Sequence, residues 1–121
     1  MPLGFDDADW RAAQEEARQA MIGAARRRAM LTYSELFGQH VKAISLAPSD
    51  PRVAAFLDEI SRAEDQAGRG MLSVVVVHMH GDMEPGEGFF TLAQQLGRDT
   101  RDRQAFWVSE LHQVHAAWMP K

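Results

Sequence analysis

Two histidines that follow a run of valines have the spacing of metal ligands. His78 and His80 are two positions apart, and on a β-strand such side chains point to the same face. Asp82 follows them, and a second pair, His112 and His115, lies on one side of a predicted helix. Imidazole and carboxylate groups bind zinc and related divalent ions. The sequence therefore predicts either a divalent-metal site at these five residues or ordinary polar surface positions.

The rest of the chain contains no established catalytic signature. The zinc-protease pattern H-E-x-x-H and the nucleophile elbow are absent, and cysteine is absent altogether. The glycine-rich segment from Glu84 to Phe90 lacks the Lys-Ser/Thr element of a phosphate-binding loop, and Glu84 and Glu87 would repel a phosphate. We predict a tight turn there, and the sequence identifies no catalytic residue.

Charged residues cluster at two places on the predicted helices. Arg26, Arg27 and Arg28 close the first helix, where positive charge complements the helix dipole. The alternative interpretation of these arginines is a patch that binds phosphate or acidic groups. The acidic pairs at 58–59 and 64–65 are predicted to lie on the solvated face of a later helix.

Composition limits the class of protein. The chain has 121 residues, 45% of them hydrophobic and 25% charged, which is typical of one folded domain spanning residues 1–121. The net charge of −4 gives no support to non-specific nucleic-acid binding. The N-terminal residues lack the order of a signal peptide, and the longest apolar run is too short to cross a bilayer. These features predict a cytoplasmic protein without membrane association.

Hydrophobic periodicity predicts a helix-rich α+β domain with a small sheet. The first helix is predicted over Asp7–Arg28. Later helices are predicted to begin near Thr32 or Ser34, near Pro51, near Phe89, and at Asp99 or Thr100. One clear strand is predicted over Met71–Met79, because four consecutive valines disfavour a helix. Its predicted pairing partners are Met30–Tyr33 and a short return near Gly88, or else another copy of the chain. The predicted core comprises Trp10, Met21, Phe56, Leu57, Ile60, Val74, Val76, Phe90, Leu96, Trp107, Leu111 and Trp118.

Three segments are similar to those of a family of small uncharacterised bacterial domains. They are LTYSEL at 31–36, GRGMLSVVVV at 68–77 and PGEGFFTLA at 85–93. This resemblance implies a bacterial origin and a compact domain. The segment at 30–37 also resembles the Ile-Thr-Tyr-Gly-Glu-Leu entry of alkylguanine-DNA alkyltransferase-like winged helices, whose Pro-Cys-His-Arg motif is absent here. The second resemblance implies a winged-helix-like element order without alkyl-transfer chemistry.

These observations lead to two hypotheses about function. The first is a non-enzymatic regulatory or interaction module, with a degenerate winged helix as one candidate shape, in which Arg26, Arg27 and Arg28 contact the partner. The partner would be a protein, a second copy of the chain, or a nucleic acid. The second hypothesis is a small metal-dependent hydrolase in which the histidine cluster holds a divalent ion and Glu84 or Glu87 acts as the base. We favour the first hypothesis, which requires no cofactor.

Overall fold

The computed structural model describes residues 4–78 and 85–119. Helix α1 spans Asp7–Arg26, and strand β1 spans Leu31–Thr32. The chain continues into the short helix α2, which extends from Tyr33–Glu35 through a π-helical turn at Leu36–His40. Helix α3 spans Val53–Gln66, and a 3₁₀ turn at Leu72–Val75 leads into strand β2, Val76–Val77. Helices α4, Glu87–Gln95, and α5, Arg103–Ala117, complete the described chain. This order confirms the predicted helix-rich α+β domain with a small sheet.

The two strands are parallel and meet in a fixed register. Leu31 lies opposite Val76, and Thr32 lies opposite Val77. The pairing confirms Met30–Tyr33 as a partner of the valine run, but the predicted return near Gly88 is wrong, because Gly88 lies in helix α4. A winged-helix hairpin would instead be antiparallel. The strands of the described residues form only this parallel pair, so the winged-helix resemblance stays a prediction.

The long strand predicted over Met71–Met79 is wrong for most of its length. Residues 72–75 form a 3₁₀ turn, and Met79 lies outside the described residues. Side chains from other helices, rather than a neighbouring strand, accept two of the backbone donors of this segment, and the N–H of Val74 donates to Met71 O within the turn. The N–H of Met71 donates to Glu110 Oε2 at 2.8 Å, and the N–H of Ser73 donates to Ser61 Oγ at 3.0 Å. The run is therefore buried as predicted, but most of it needs no strand partner.

The core lies between α1, α3 and the buried valine run. Eight of the twelve predicted core residues are buried, whereas Leu96, Trp107, Leu111 and Trp118 are only partly buried. Three of these four belong to or follow α5, which buries only Glu110 and Val114 completely. Much of α5 is thus left at the surface. None of the described helices is long and apolar enough to cross a membrane.

The prediction that the acidic pairs of α3 are solvated is wrong for Glu64. This carboxylate is buried between Arg18 and Arg69, at 2.6 Å and 2.5 Å from their Nε atoms. Glu64 follows Leu57 by seven positions, or about two helical turns, so it shares the buried face of α3. Asp65 pairs with Arg98 instead.

Candidate functional site

The predicted metal ligands do not converge within the described part of the chain. His78 lines a cavity next to Tyr33, whereas His112 and His115 line a separate cavity on α5. His80 and Asp82 lie outside the described residues. Over residues 4–78 and 85–119, no group of three or more histidine, cysteine or acidic residues is arranged to hold a metal ion. A metal site that used His80 and Asp82 stays a prediction.

The hydrolase hypothesis uses Glu84 or Glu87 as its base, and the structure describes the contacts of Glu87. Glu87 is bound in a fork by Arg103, with N–O distances of 2.5 Å and 2.8 Å. Hydrogen bonds from Arg103 lower the pKa of the Glu87 carboxyl, which makes it a weaker base. Glu84 lies outside the described residues. Glu87 therefore has the contacts of a surface ion pair.

The parallel register brings two aromatic side chains together at the carboxyl ends of the strands. Because Thr32 pairs with Val77, the next residues, Tyr33 and His78, are neighbours. Their rings stack with centroids 4.7 Å apart and planes inclined by 29°. The crevice beyond the carboxyl ends of parallel strands is a common ligand position in α/β proteins. The described aromatic pair with the shortest distance between ring centroids thus lies where such folds bind ligands.

A cavity of about 160 Å³ opens beside this aromatic pair, and we call it the strand-end cavity. Its floor is Tyr33 and His78, and one wall is the face of α3 that carries Asp58. The start of α4 forms the opposite wall. The complete lining is Tyr33, Pro48, Val53, Ala54, Leu57, Asp58, Ser73, His78, Gly86, Gly88 and Phe89.

Gly86 fixes the geometry of the cavity floor. Its N–H donates a hydrogen bond to the hydroxyl of Tyr33 at 3.0 Å. A Cβ at this position would lie 3.1 Å from that hydroxyl oxygen and 3.3 Å from Nε2 of His78. Only glycine lets the chain approach both side chains this closely without displacing them. Burial raises the pKa of the Tyr33 hydroxyl, the Gly86 hydrogen bond opposes this shift, and the charge of Asp58 adds to it.

A second cavity, of about 460 Å³, lies between the end of α1 and α5. It is lined by Arg28, Leu111, His112, His115, Ala116 and Met119. Met119 is 49% exposed. We use the name basic groove for this cavity together with Arg26 and Arg27. It combines apolar side chains and two histidines with Arg28, and Arg26 and Arg27 precede Arg28 at the end of α1.

The three arginines of the basic groove differ from most other arginines of the protein. Arg18, Arg69 and several others form ion pairs with carboxylates. Among the described residues, no carboxylate lies within ion-pair distance of Arg26, Arg27 or Arg28. Arg26 packs its guanidinium 5.8 Å from the centre of the Trp118 ring. The positive charge at this end of α1 is therefore not neutralised within the described structure.

Arg28 adopts a backbone conformation that favours glycine. Helix α1 ends in a Schellman motif, in which the N–H of Ala29 donates to Ala24 O and the N–H of Arg28 donates to Ala25 O. The motif places Arg28 at a φ of +53°. Helices α3 and α4 end with the same pair of hydrogen bonds, and there the corresponding residues are Gly68 and Gly97. In the described chain, Arg28 is the only residue other than glycine with a positive φ.

Sequence reasoning found the arginine run but not the two cavities. Asp58 carried no signal beyond its place in an acidic pair, and Tyr33 was notable only as part of a helix entry. Their convergence depends on the strand register, which residue spacing alone does not show. The groove needs the packing of α5 against the end of α1. Comparisons with models of known families, with curated proteins and with solved structures find no significant match to this chain.

Proposed function

We propose that this protein is an interaction module whose basic groove binds an acidic, amphipathic segment of a partner protein. The observation that carries the proposal is the left-handed backbone of Arg28. A side chain in this conformation costs roughly 1–2 kcal/mol relative to the right-handed form, whereas glycine avoids that cost. Non-glycine residues in such conformations are concentrated at functional sites. An arginine at a position where α3 and α4 have glycine favours a role for its side chain.

The composition of the groove supports a protein partner. Arg28 lines the groove, and Arg26 and Arg27 precede it; these three guanidinium groups have no carboxylate partners among the described residues and complement acidic side chains. The floor contributes Leu111, Ala116 and Met119, which complement apolar side chains one helical turn apart on the partner. An acidic amphipathic helix presents both features at once. The net charge of −4 disfavours a phosphate backbone, which attracts proteins through a broad basic surface.

The substitution Arg28→Gly is expected to stabilise the fold while weakening binding. Removing the Cβ relieves the strain at φ +53°, and the greater flexibility of glycine in the unfolded chain offsets part of that gain. We expect the free energy of unfolding to rise by about 0.5–1 kcal/mol. Urea denaturation followed by circular dichroism measures this change. A loss of stability would show that the arginine side chain supports the fold instead.

Binding can be tested with a fluorescein-labelled helical peptide that carries Glu on one face and Leu on the other. Fluorescence anisotropy is measured for the wild type, for Arg27→Gln/Arg28→Gln, and for Arg11→Gln/Arg101→Gln. The last variant removes the same charge from exposed arginines that lie outside the groove. We expect the groove variant to bind about tenfold more weakly, since two charge-assisted contacts contribute about 0.7 kcal/mol each. The control variant should bind within about twofold of the wild type.

Three results would contradict the proposal. The wild type could fail to bind the peptide at 50 mM salt, or both double variants could weaken binding equally. A DNA duplex or a single-stranded RNA could also bind more tightly than the peptide, with the groove variant reducing the salt dependence. That last result would assign the groove to nucleic acid and would overturn the protein partner.

A further inference from the structure

We propose that the strand-end cavity binds a primary ammonium group on a short apolar chain, with the carboxylate of Asp58 as its counter-ion. This site is separate from the basic groove and shares no lining residue with it. The ammonium could belong to a free small amine or to a lysine side chain. The chemistry is the same in both cases, and the experiment below distinguishes them.

Asp58 is a carboxylate that lacks a hydrogen-bond donor. No described residue donates a hydrogen bond to it or lies within ion-pair distance. Arg62, one turn further along α3, donates to Gln95 instead. Burial raises the pKa of the Asp58 carboxyl, and the charge of Arg62 offsets this only in part. A half-buried carboxylate without a partner gains most from a ligand that brings a positive charge.

The other walls select for a cation with an apolar tail. The stacked rings of Tyr33 and His78 form the floor, and a cation over the face of tyrosine is attracted by the ring quadrupole. Val53, Leu57 and Phe89 offer an apolar surface to the remainder of the ligand. None of the described residues that line the cavity is Lys or Arg, so an anion would meet the charge of Asp58 with His78 as the one described lining side chain that can become positive.

The size of the cavity limits the ligand to a few atoms. A volume of about 160 Å³, at about 30 Å³ for each water-sized group, accommodates roughly five non-hydrogen atoms. Butylammonium has this size, and it also matches the end of a lysine side chain. A metal ion fits less well, because the described lining supplies one carboxylate and one imidazole, fewer than the three protein ligands of a catalytic zinc site.

The test is a titration of the ¹⁵N-labelled full chain with butylammonium, with 1-butanol and butyrate as matched neutral and anionic probes. Amide chemical shifts around Tyr33, Asp58 and Gly86 report occupancy of the cavity. We expect butylammonium to bind at least tenfold more tightly than butanol, and butyrate to bind undetectably. Equal binding of butylammonium and butanol would overturn the proposal, because Asp58 would then contribute nothing.

Two cavity variants and one control variant separate binding from folding. Asp58→Asn keeps the shape of the side chain and removes its charge, so we expect at least tenfold weaker binding of butylammonium and no loss of thermal stability. Asp9→Asn makes the same change at an exposed position outside the cavity and should bind as the wild type does. Gly86→Ala narrows the floor without altering charge and should also weaken binding. Unchanged affinity in both Asp58→Asn and Gly86→Ala would overturn the assignment.

The source of the ammonium is distinguished by a backbone-capped lysine, Nα-acetyl-lysine N-methylamide, which keeps a free ε-ammonium group. If it binds as tightly as butylammonium, with the same dependence on Asp58, the cavity accepts a lysine side chain of a protein. If butylammonium binds and capped lysine does not, the ligand is a free amine. Both results support the ammonium site. Loss of binding at this cavity would leave the peptide-binding test of the basic groove unaffected.

Discussion

Replacing Glu64 by glutamine is expected to lower the free energy of unfolding by about 3 kcal/mol, since breaking one side of a buried ion pair typically costs 3–5 kcal/mol. Glu64 is only 2% exposed. Its two oxygens accept hydrogen bonds from Arg18 and Arg69 at 2.6 Å and 2.5 Å. Glutamine keeps the shape but presents one acceptor and no charge, so two guanidinium groups lose their shared counter-ion. Both arginines are partly exposed, which favours the lower end of the range.

The loss should depend on pH in a defined direction. Burial alone would raise the pKa of the Glu64 carboxyl, but hydrogen bonds from Arg69 and Arg18 outweigh it and lower the pKa below its usual value. A carboxyl group with a lowered pKa in the folded state stabilises the fold above its unfolded pKa, near 4.3. This contribution disappears as the pH falls through the folded pKa. The difference between wild type and Glu64→Gln should therefore be largest at pH 7 and should shrink as acid is added.

Glu15→Gln provides the matched control, because Glu15 also pairs with Arg18. The N–O distance is 3.4 Å, and the Glu15 side chain is 56% exposed. Exposed pairs of this kind contribute about 0.2–1 kcal/mol, so the control should lose no more than this. Urea unfolding at pH 7 and at pH 3 measures both variants. Similar losses in the two variants would contradict the assignment of a special role to the buried carboxylate.

Glu64 pairs with two of three arginines that surround one tryptophan, and the third has no carboxylate partner among the described residues. The guanidinium groups of Arg18, Arg26 and Arg69 all lie 5.3–5.8 Å from the centre of the Trp118 ring. Glu64 forms ion pairs with Arg18 and Arg69, and Glu15 pairs with Arg18 as well, whereas Arg26 is left without a carboxylate partner among the described residues. The unneutralised charge is thus concentrated at the end of α1. The buried ion pair and the proposed interaction site are linked through one tryptophan.

The valine run shows how far sequence patterns predict this fold. Continuous apolar character correctly predicted that the segment is buried, because burial follows from composition alone. Its conformation depends on Ser61 and Glu110, which receive the N–H groups of Ser73 and Met71 from 12 and 39 positions away. Local propensity carries no information about such acceptors. A strand was therefore predicted where side-chain hydrogen bonds permit a 3₁₀ turn.

The candidate sites also contain some features that the sequence could predict and others that depend on tertiary structure. The arginine run could be found in the sequence because its members are adjacent, although the strained backbone of Arg28 could not. The burial of Glu64 could have been found from its spacing of seven from Leu57. The meeting of Tyr33 with His78 requires the register of two strands whose paired residues are 45 positions apart in the chain. The role proposed for Asp58 depends on the same register, because it brings Tyr33 and His78 to the cavity that Asp58 also lines.

Gly70→Ala is the second change for which we expect a large effect, a loss of about 3 kcal/mol in the free energy of unfolding. Gly70 has a φ of +85°, and a left-handed backbone costs a side chain roughly 1–2 kcal/mol. A Cβ there would also lie 3.0 Å from Glu110 Oε2 and 3.2 Å from Cγ2 of Val114. Overpacking of a filled core typically costs a further 1–3 kcal/mol.

Gly68→Ala separates these two contributions, because Gly68 has a φ of +82° and no atom within 4 Å of the added Cβ. It should lose only the conformational part, roughly 1–2 kcal/mol. The excess loss in Gly70→Ala then measures the displacement of Glu110, whose Oε2 accepts the N–H of Met71 at the start of the valine run. Equal losses in the two variants, measured by urea unfolding, would mean that Glu110 moves aside freely. The side-chain acceptor would then not be what holds residues 72–75 in a 3₁₀ turn.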